Sequence, residues 1–114
     1  MTIDESEDNG LTIMTLAGEA DLTAVPLFQE KMRAQMKAGT DKLVVDFSEV
    51  TFVNTPVWAV IVEYYQHTVK NGGAFAIVGL KDRVEASFNI VRLGEFIKHF
   101  GSIDEARQSF DSAS

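Results

Sequence analysis

The sequence predicts an α/β fold, a single domain over residues 1–114 with a mixed, largely parallel β-sheet and helices packed against it. Three observations point there. Segments of strand character alternate with segments of helical period, the pattern of strand–helix–strand crossovers. Two strand segments, residues 42–47 and 74–78, contain short apolar runs of the kind that parallel sheets bury on both faces. The chain has 114 residues, 46% of them hydrophobic, which is enough for one core and too short for two.

The elements follow in order. Residues 2–6 are few and polar and suit only an edge strand. Leu11 to Ala17 alternate, and Asn9-Gly10 between the two runs is a hairpin turn signal. Gly18-Glu19-Ala20-Asp21 reads as a loop, with Thr23 as the N-cap of a helix that holds Pro26 in its first turn. Leu27, Phe28, Met32, Gln35 and Met36 recur at helical spacing, and Gly39 stops that helix. After the strand at 42–47, residues 48–53 carry the chain to a junction at Asn54-Thr55-Pro56.

Thr55-Pro56 is a helix-start signal. A threonine caps free amides of the first turn, and proline at the first helical position loses no hydrogen bond. The second helix is expected from Pro56 to about Asn71, before Gly72-Gly73. Trp58, Ile61, Val62, Tyr65 and Val69 form its core stripe, and Val57, Val60 and Tyr64 a second apolar stripe beside it. That second stripe is either an interaction patch or packs on a neighbouring helix. Deep burial of both stripes is not expected in so small a domain, and the two readings, patch and packing on a neighbouring helix, both stay open. Val84, Phe88 and Val91 mark a third helix ending at Gly94, and a short strand follows. Ser102-Ile103-Asp104-Glu105 resembles a capping box at the start of a terminal helix.

Charge and composition narrow the function. The net charge is −7 and no basic cluster exists, so nucleic acid is not an expected partner. No apolar run reaches the length of a membrane span, and the acidic start is unlike a signal peptide, so a cytoplasmic location is expected. The chain contains no cysteine. His67 and His99 stand alone, without ligand spacing, and no cofactor or metal is expected. Gly72-Gly73 precedes a strand, not a helix, and so makes no phosphate loop. Asp46 invites comparison with a receiver-type phospho-accepting aspartate, but Asp21 and Lys81 are poor companions for it. Hydrogen bonding to nearby loop amides is the simpler role. No catalytic set assembles, and an enzyme is not expected.

Parallel crossovers bring the strand ends together, so Asp21, Asn54-Thr55 and Gly79 are expected along one edge, where open α/β sheets bind partners. Several segments bear on what binds there. They are Gly18-Glu19-Ala20-Asp21, the run from Asp46 to Val53 (Asp-Phe-Ser-Glu-Val-Thr-Phe-Val), Gly72-Gly73-Ala74-Phe75, and Val84, Phe88, Val91, Leu93 and Gly94. Their order and spacing resemble the STAS domain, the fold of bacterial anti-sigma factor antagonists. The resemblance covers nearly the whole chain. It implies a protein partner, a serine-kinase anti-sigma factor that phosphorylates the second hydroxyl residue of an Asp-Ser-(Ser/Thr)-Gly motif.

Here that motif reads Asn54-Thr55-Pro56-Val57, and the phosphoacceptor position falls on Pro56, which has no hydroxyl. Three readings follow: constitutive binding, phosphorylation of Thr55 instead, or a slipped alignment with Ser48 or Thr51 as the regulated residue. The partner-binding residues are expected to be Asp21, Asn54, Thr55, Pro56, Val57, Val60 and Tyr64. The alternative is a non-phosphorylated STAS subunit of a stress-signalling scaffold or a transporter-associated complex. Self-association is left open.

Overall fold

The computed structural model describes residues 1–112. Its five strands are β1 (Thr2–Asp8), β2 (Leu11–Ala20), β3 (Lys42–Val53), β4 (Ala74–Val78) and β5 (Lys98–Phe100). The helices are α1 (Val25–Lys37), α2 (Thr55–Asn71), α3 (Asp82–Ile90) and α4 (Ile103–Ser112). The strands lie side by side in chain order. β1 and β2 form an antiparallel hairpin closed by Asn9 and Gly10, both at positive φ, and each later pair is parallel. The expected α/β architecture with a largely parallel sheet is the one observed.

Sheet order and handedness decide where the helices go. Strands β2 to β5 advance in one direction, so right-handed crossovers place α1, α2 and α3 on the same face. The main core lies beneath them, with Met14, Leu16, Leu43, Val45, Phe47, Phe75 and Ile77 from the sheet. The opposite face is covered by α4 alone, whose Ala106 and Phe110 meet Leu11, Val44, Ala76 and Val78. The capping box expected at α4 is present in part, with the Glu105 amide donating to Ser102 Oγ at 3.2 Å.

Several boundaries differ from expectation. β2 runs on through Gly18-Glu19-Ala20, and β3 through residues 48–53. The reason is two bulges. From Thr12 to Ala20 is eight steps along β2, while their partners Leu43 to Val53 are ten steps apart along β3. Each extra residue reverses which side chains face the helices. Buried positions of the main core therefore run 45, 47, 50, 53 instead of alternating. Asp46 stabilises the first bulge, its Oδ1 accepting the Ser48 amide at 2.8 Å, in line with the amide-bonding role expected for it.

Helix ends also differ. Thr23 does not cap α1. Asp21 instead caps a short 3-10 turn, Leu22–Ala24, that leads into α1. Pro26 does lie in the first turn of α1, but Leu27, expected in its buried stripe, is 44% exposed. Thr55 is the first residue of α2 rather than its cap. Asn54 holds the cap position without a side-chain hydrogen bond. α3 ends at Ile90, before the left-handed Arg92 and well short of Gly94.

The first bulge constrains β4 as well. It brings Ser48 against Gly79, where an added Cβ would lie 2.8 Å from both the Ser48 nitrogen and its Cβ. Gly79 also has φ +77°, a left-handed conformation that costs other residues about 1–2 kcal/mol. Gly79→Ala is therefore expected to lower stability by roughly 2 kcal/mol. Urea unfolding checks this, as a lower midpoint with unchanged slope.

Candidate functional site

The carboxyl ends of β2 and β3 meet at one edge of the sheet. The join is a main-chain hydrogen bond, the Asn54 amide donating to the Ala20 carbonyl at 2.9 Å. It brings Asp21 and the start of α2 together, although more than thirty positions of chain separate them. The Asn54 carbonyl accepts the Val57 amide at 2.9 Å and opens the helix. No side chain caps α2, so its position comes from burial of its inner face, at about 1.5–3 kcal/mol for each large apolar side chain.

Asp21 is held in one orientation. Its Oδ1 accepts the Thr23 hydroxyl at 2.6 Å and the amides of Thr23 and Ala24 at 3.1 and 3.2 Å. The Thr23 hydroxyl, helped by the two amides, holds its carboxyl below the ordinary aspartate value. Asn54 is half-buried, and Thr55 and Pro56 are exposed. Four of the seven expected residues, Asp21, Asn54, Thr55 and Pro56, thus sit along one edge. Gly79, also expected there, is drawn against Ser48.

The other three need correction. Val57, Val60 and Tyr64 are 0%, 2% and 2% exposed and belong to the main core. No apolar patch stands on that side of α2. The cause is the position of α2 as the middle helix of three on one face. Arg33 of α1 makes a two-point ion pair with Glu63 of α2, at 3.0 and 2.9 Å. On the other flank Trp58 Nε1 donates to Ser87 Oγ of α3 at 2.8 Å, and its ring meets Phe47 and Phe88. Helices on both sides and the sheet below cover the second stripe entirely and Trp58 and Ile61 of the first. Burial raises the Tyr64 hydroxyl to about 12. Val69, placed in the core stripe from its spacing, is exposed at the far end of the helix.

Sequence reasoning missed two residues that border this edge. Leu22 follows Asp21 and is 62% exposed, and Phe52 lies two residues before Asn54 and is 38% exposed. Leu22 carries no periodic signal, since it sits in a 3-10 turn. Phe52 lies past the second bulge, where alternation no longer reports facing. The edge therefore carries Asp21, Thr23, Thr55 and Pro56, with Leu22 next to Asp21 in the chain and Phe52 on the face of β3 opposite to Val53. Of the slipped phosphoacceptors, Ser48 is half-buried against Gly79 and Thr51 is exposed.

Chemically the rim offers polar contacts and apolar area. It brings together no nucleophile with a base. Among the described residues no group of three or more His, Cys, Asp or Glu is placed to hold a metal ion, and no helix is long and apolar enough to cross a membrane. His67 contacts Asn71, and His99 packs edge-on against Phe88 at 5.0 Å.

The family model for the STAS domain matches residues 2–106. No curated protein sequence matches the chain. Solved structures do. A candidate anti-sigma factor antagonist of Thermotoga maritima superposes with a TM-score of 0.88 at 21% identity, covering 94% of this chain and 92% of that one. An anti-sigma factor antagonist of Mycobacterium paratuberculosis gives 0.87 at 19% identity, covering 95% and 92%. The phosphorylated form of the Bacillus cell-fate determinant SpoIIAA gives 0.73 at 14% identity, covering 96% and 99%. At such identities the likeness speaks for the fold.

Two outcomes test this geometry. Val60→Asp places a carboxylate in the core, with an expected cost of about 4 kcal/mol or more. Circular dichroism should show lost cooperative folding. A folded variant would return Val60 to the surface. Asp21 supplies a pH test. Its carboxyl is lowered in the folded state, so its contribution is complete above the ordinary value of 3.8 and is lost as pH falls through the lower folded value. Asp21→Asn should remove that part of the acid dependence, seen as a flatter urea midpoint against pH below 4.

Proposed function

The chain belongs to the STAS domain family, and on that premise we propose that it is a protein-docking module without catalytic activity. It acts as an anti-sigma factor antagonist and binds a serine-kinase anti-sigma factor to regulate transcription. The carrying observation is the edge assembled by the Asn54–Ala20 hydrogen bond, which brings Asp21 to the exposed Thr55 and Pro56, with Leu22 and Phe52 exposed on the strand ends that lead into it. Exposed apolar side chains within a polar surround are how interfaces concentrate binding energy. Val57, Val60 and Tyr64 act from behind, by fixing the start of α2 against the core.

Regulation turns on Pro56. The position that carries phosphate in the family has no hydroxyl here, and that favours binding without the usual switch. The remaining hydroxyl on the first turn is Thr55, which is exposed. Phosphate there would add about −1.5 to −2 charge beside the positive end of α2. The helix would accept that charge, while a partner seated on the rim would meet it directly. Pro56 equally favours the second reading, a non-phosphorylated STAS subunit of a stress-signalling scaffold or a transporter-associated complex. A STAS-like fold does occur inside a transporter: the murine Slc26a9 anion transporter matches at 22% identity, over 19% of its length.

The test is to incubate the protein with a serine-kinase anti-sigma factor and ATP, then measure binding and map phosphate by mass spectrometry. Stable binding without phosphate supports the constitutive antagonist. Phosphate on Thr55 with loss of binding supports a displaced switch. No binding to any such kinase favours the scaffold or transporter reading. In the first two cases Leu22→Ser and Phe52→Ser should each weaken binding roughly tenfold or more without loss of fold.

A further inference from the structure

A second surface lies at the other end of α2, about 20 Å along the helix from Thr55. It is a groove of about 330 Å³ lined by Tyr65, Thr68, Gly73, Ala74, Phe75, Phe96, Lys98 and Phe110. Its origin is a mismatch of strand lengths. β5 pairs with β4 only from Ala76 onward, so Ala74 and Phe75 have no strand beside them on that edge. Tyr65 and Phe96 close the gap from the helical side, their rings 6.2 Å apart, and Phe110 borders it from the opposite face of the sheet. Phe96 is 53% exposed, so the wall is open to a ligand.

The charge in the groove is of one sign. Lys98 is its only charged lining residue, is exposed, and makes no ion pair among the described residues. Among the described residues no carboxylate lines the groove, although the chain carries a net charge of −7. Thr68 does not offer its proton, because its hydroxyl donates to the Tyr64 carbonyl at 3.1 Å. A larger groove of about 540 Å³ beside β1 differs in kind, being lined by Glu5, Glu7 and Asp41 without an aromatic wall.

We propose that the groove at the Tyr65–Phe96 edge binds a small ring-bearing anion, with its ring against Phe96 and Tyr65 and its charge on the Lys98 ammonium. Volume, aromatic lining and one convergent cation are the features of small-ligand sites. Size argues against an added peptide strand. The free edge of β4 is two residues long before β5 closes it, too short for the repeated main-chain bonds that hold an added strand. The site is separate from the docking rim and does not depend on what binds there.

The probe is 1-anilinonaphthalene-8-sulfonate, a naphthalene ring system bearing a sulfonate, titrated into the native protein and followed by fluorescence and amide NMR. Saturable one-site binding is expected, with shifts concentrated at Thr68, Gly73, Phe96 and Lys98. Lys98→Glu and Phe96→Ser should each weaken it roughly five- to tenfold, while Leu22→Ser at the distant rim leaves it unchanged. N-phenyl-1-naphthylamine, which lacks the sulfonate, should bind more weakly and without the salt dependence of the anion. Both lining residues are exposed, so the variants keep the fold, which circular dichroism checks. Binding that never saturates, survives both substitutions, or is lost equally with Leu22→Ser overturns the proposal. Equal binding of the uncharged probe overturns the role of Lys98.

Discussion

β3 carries two more residues than the stretch of β2 it pairs with, and the geometry of the edge where Asp21 meets the start of α2 depends on how that excess is absorbed. A strand with an extra residue must bulge, twist and re-aim its side chains. The first bulge frees the Ser48 amide, which Asp46 takes up, and pushes Ser48 into the space that Gly79 leaves vacant. The second lets the strand end with Val53 facing the core and the Asn54 amide aimed at β2. Without the two added residues, Val50 and Val53 would not both face the helices. The start of α2 would then lose its seat beside Asp21.

The second dependence is on order. Because β2 to β5 advance in one direction, their three crossover helices share a face and α2 is the middle one. A middle helix buries its inner face and parts of both flanks, and α2 does, with Val57, Trp58, Val60, Ile61 and Tyr64 all buried. Trp58 fills the space toward α3 and satisfies its one donor on Ser87, as a buried indole must. What α2 leaves open is its two ends and a narrow outer face that includes Ala59 and Gln66. The amino end lies at the edge proposed for docking, and Tyr65 in the carboxyl half borders the aromatic groove.

Much of this fold is legible in the sequence, because most elements carry local signals. Asn9-Gly10, Pro26, Gly72-Gly73 and Ser102 through Glu105 each state a turn, a start or a stop within a few residues. What is not legible is set by tertiary neighbours. The strand beyond Phe47 hides because its buried residues are spaced by three, a period belonging to neither strand nor helix. The size of the domain argues against burial of the stripe Val57–Val60–Tyr64, yet coverage depends on position in the layer and not on chain length. Asp21, Asn54, Thr55 and Pro56 could be placed together because parallel topology alone brings strand ends to one edge. Leu22 and Phe52 could not, since an isolated apolar residue does not state whether it is covered.

The sheet has two open sides, and they are built differently. β1, on one side, bears Asp4, Glu5, Glu7 and Asp8, all exposed, while β5 on the other is three residues long. A charged border repels its own copy, and a border so short gives a neighbouring strand little to grip. Molecules of this protein held close together, even at high local density, would therefore not join their sheets into a continuous ribbon. Any array that contains many of them would be held through other surfaces than the sheet borders.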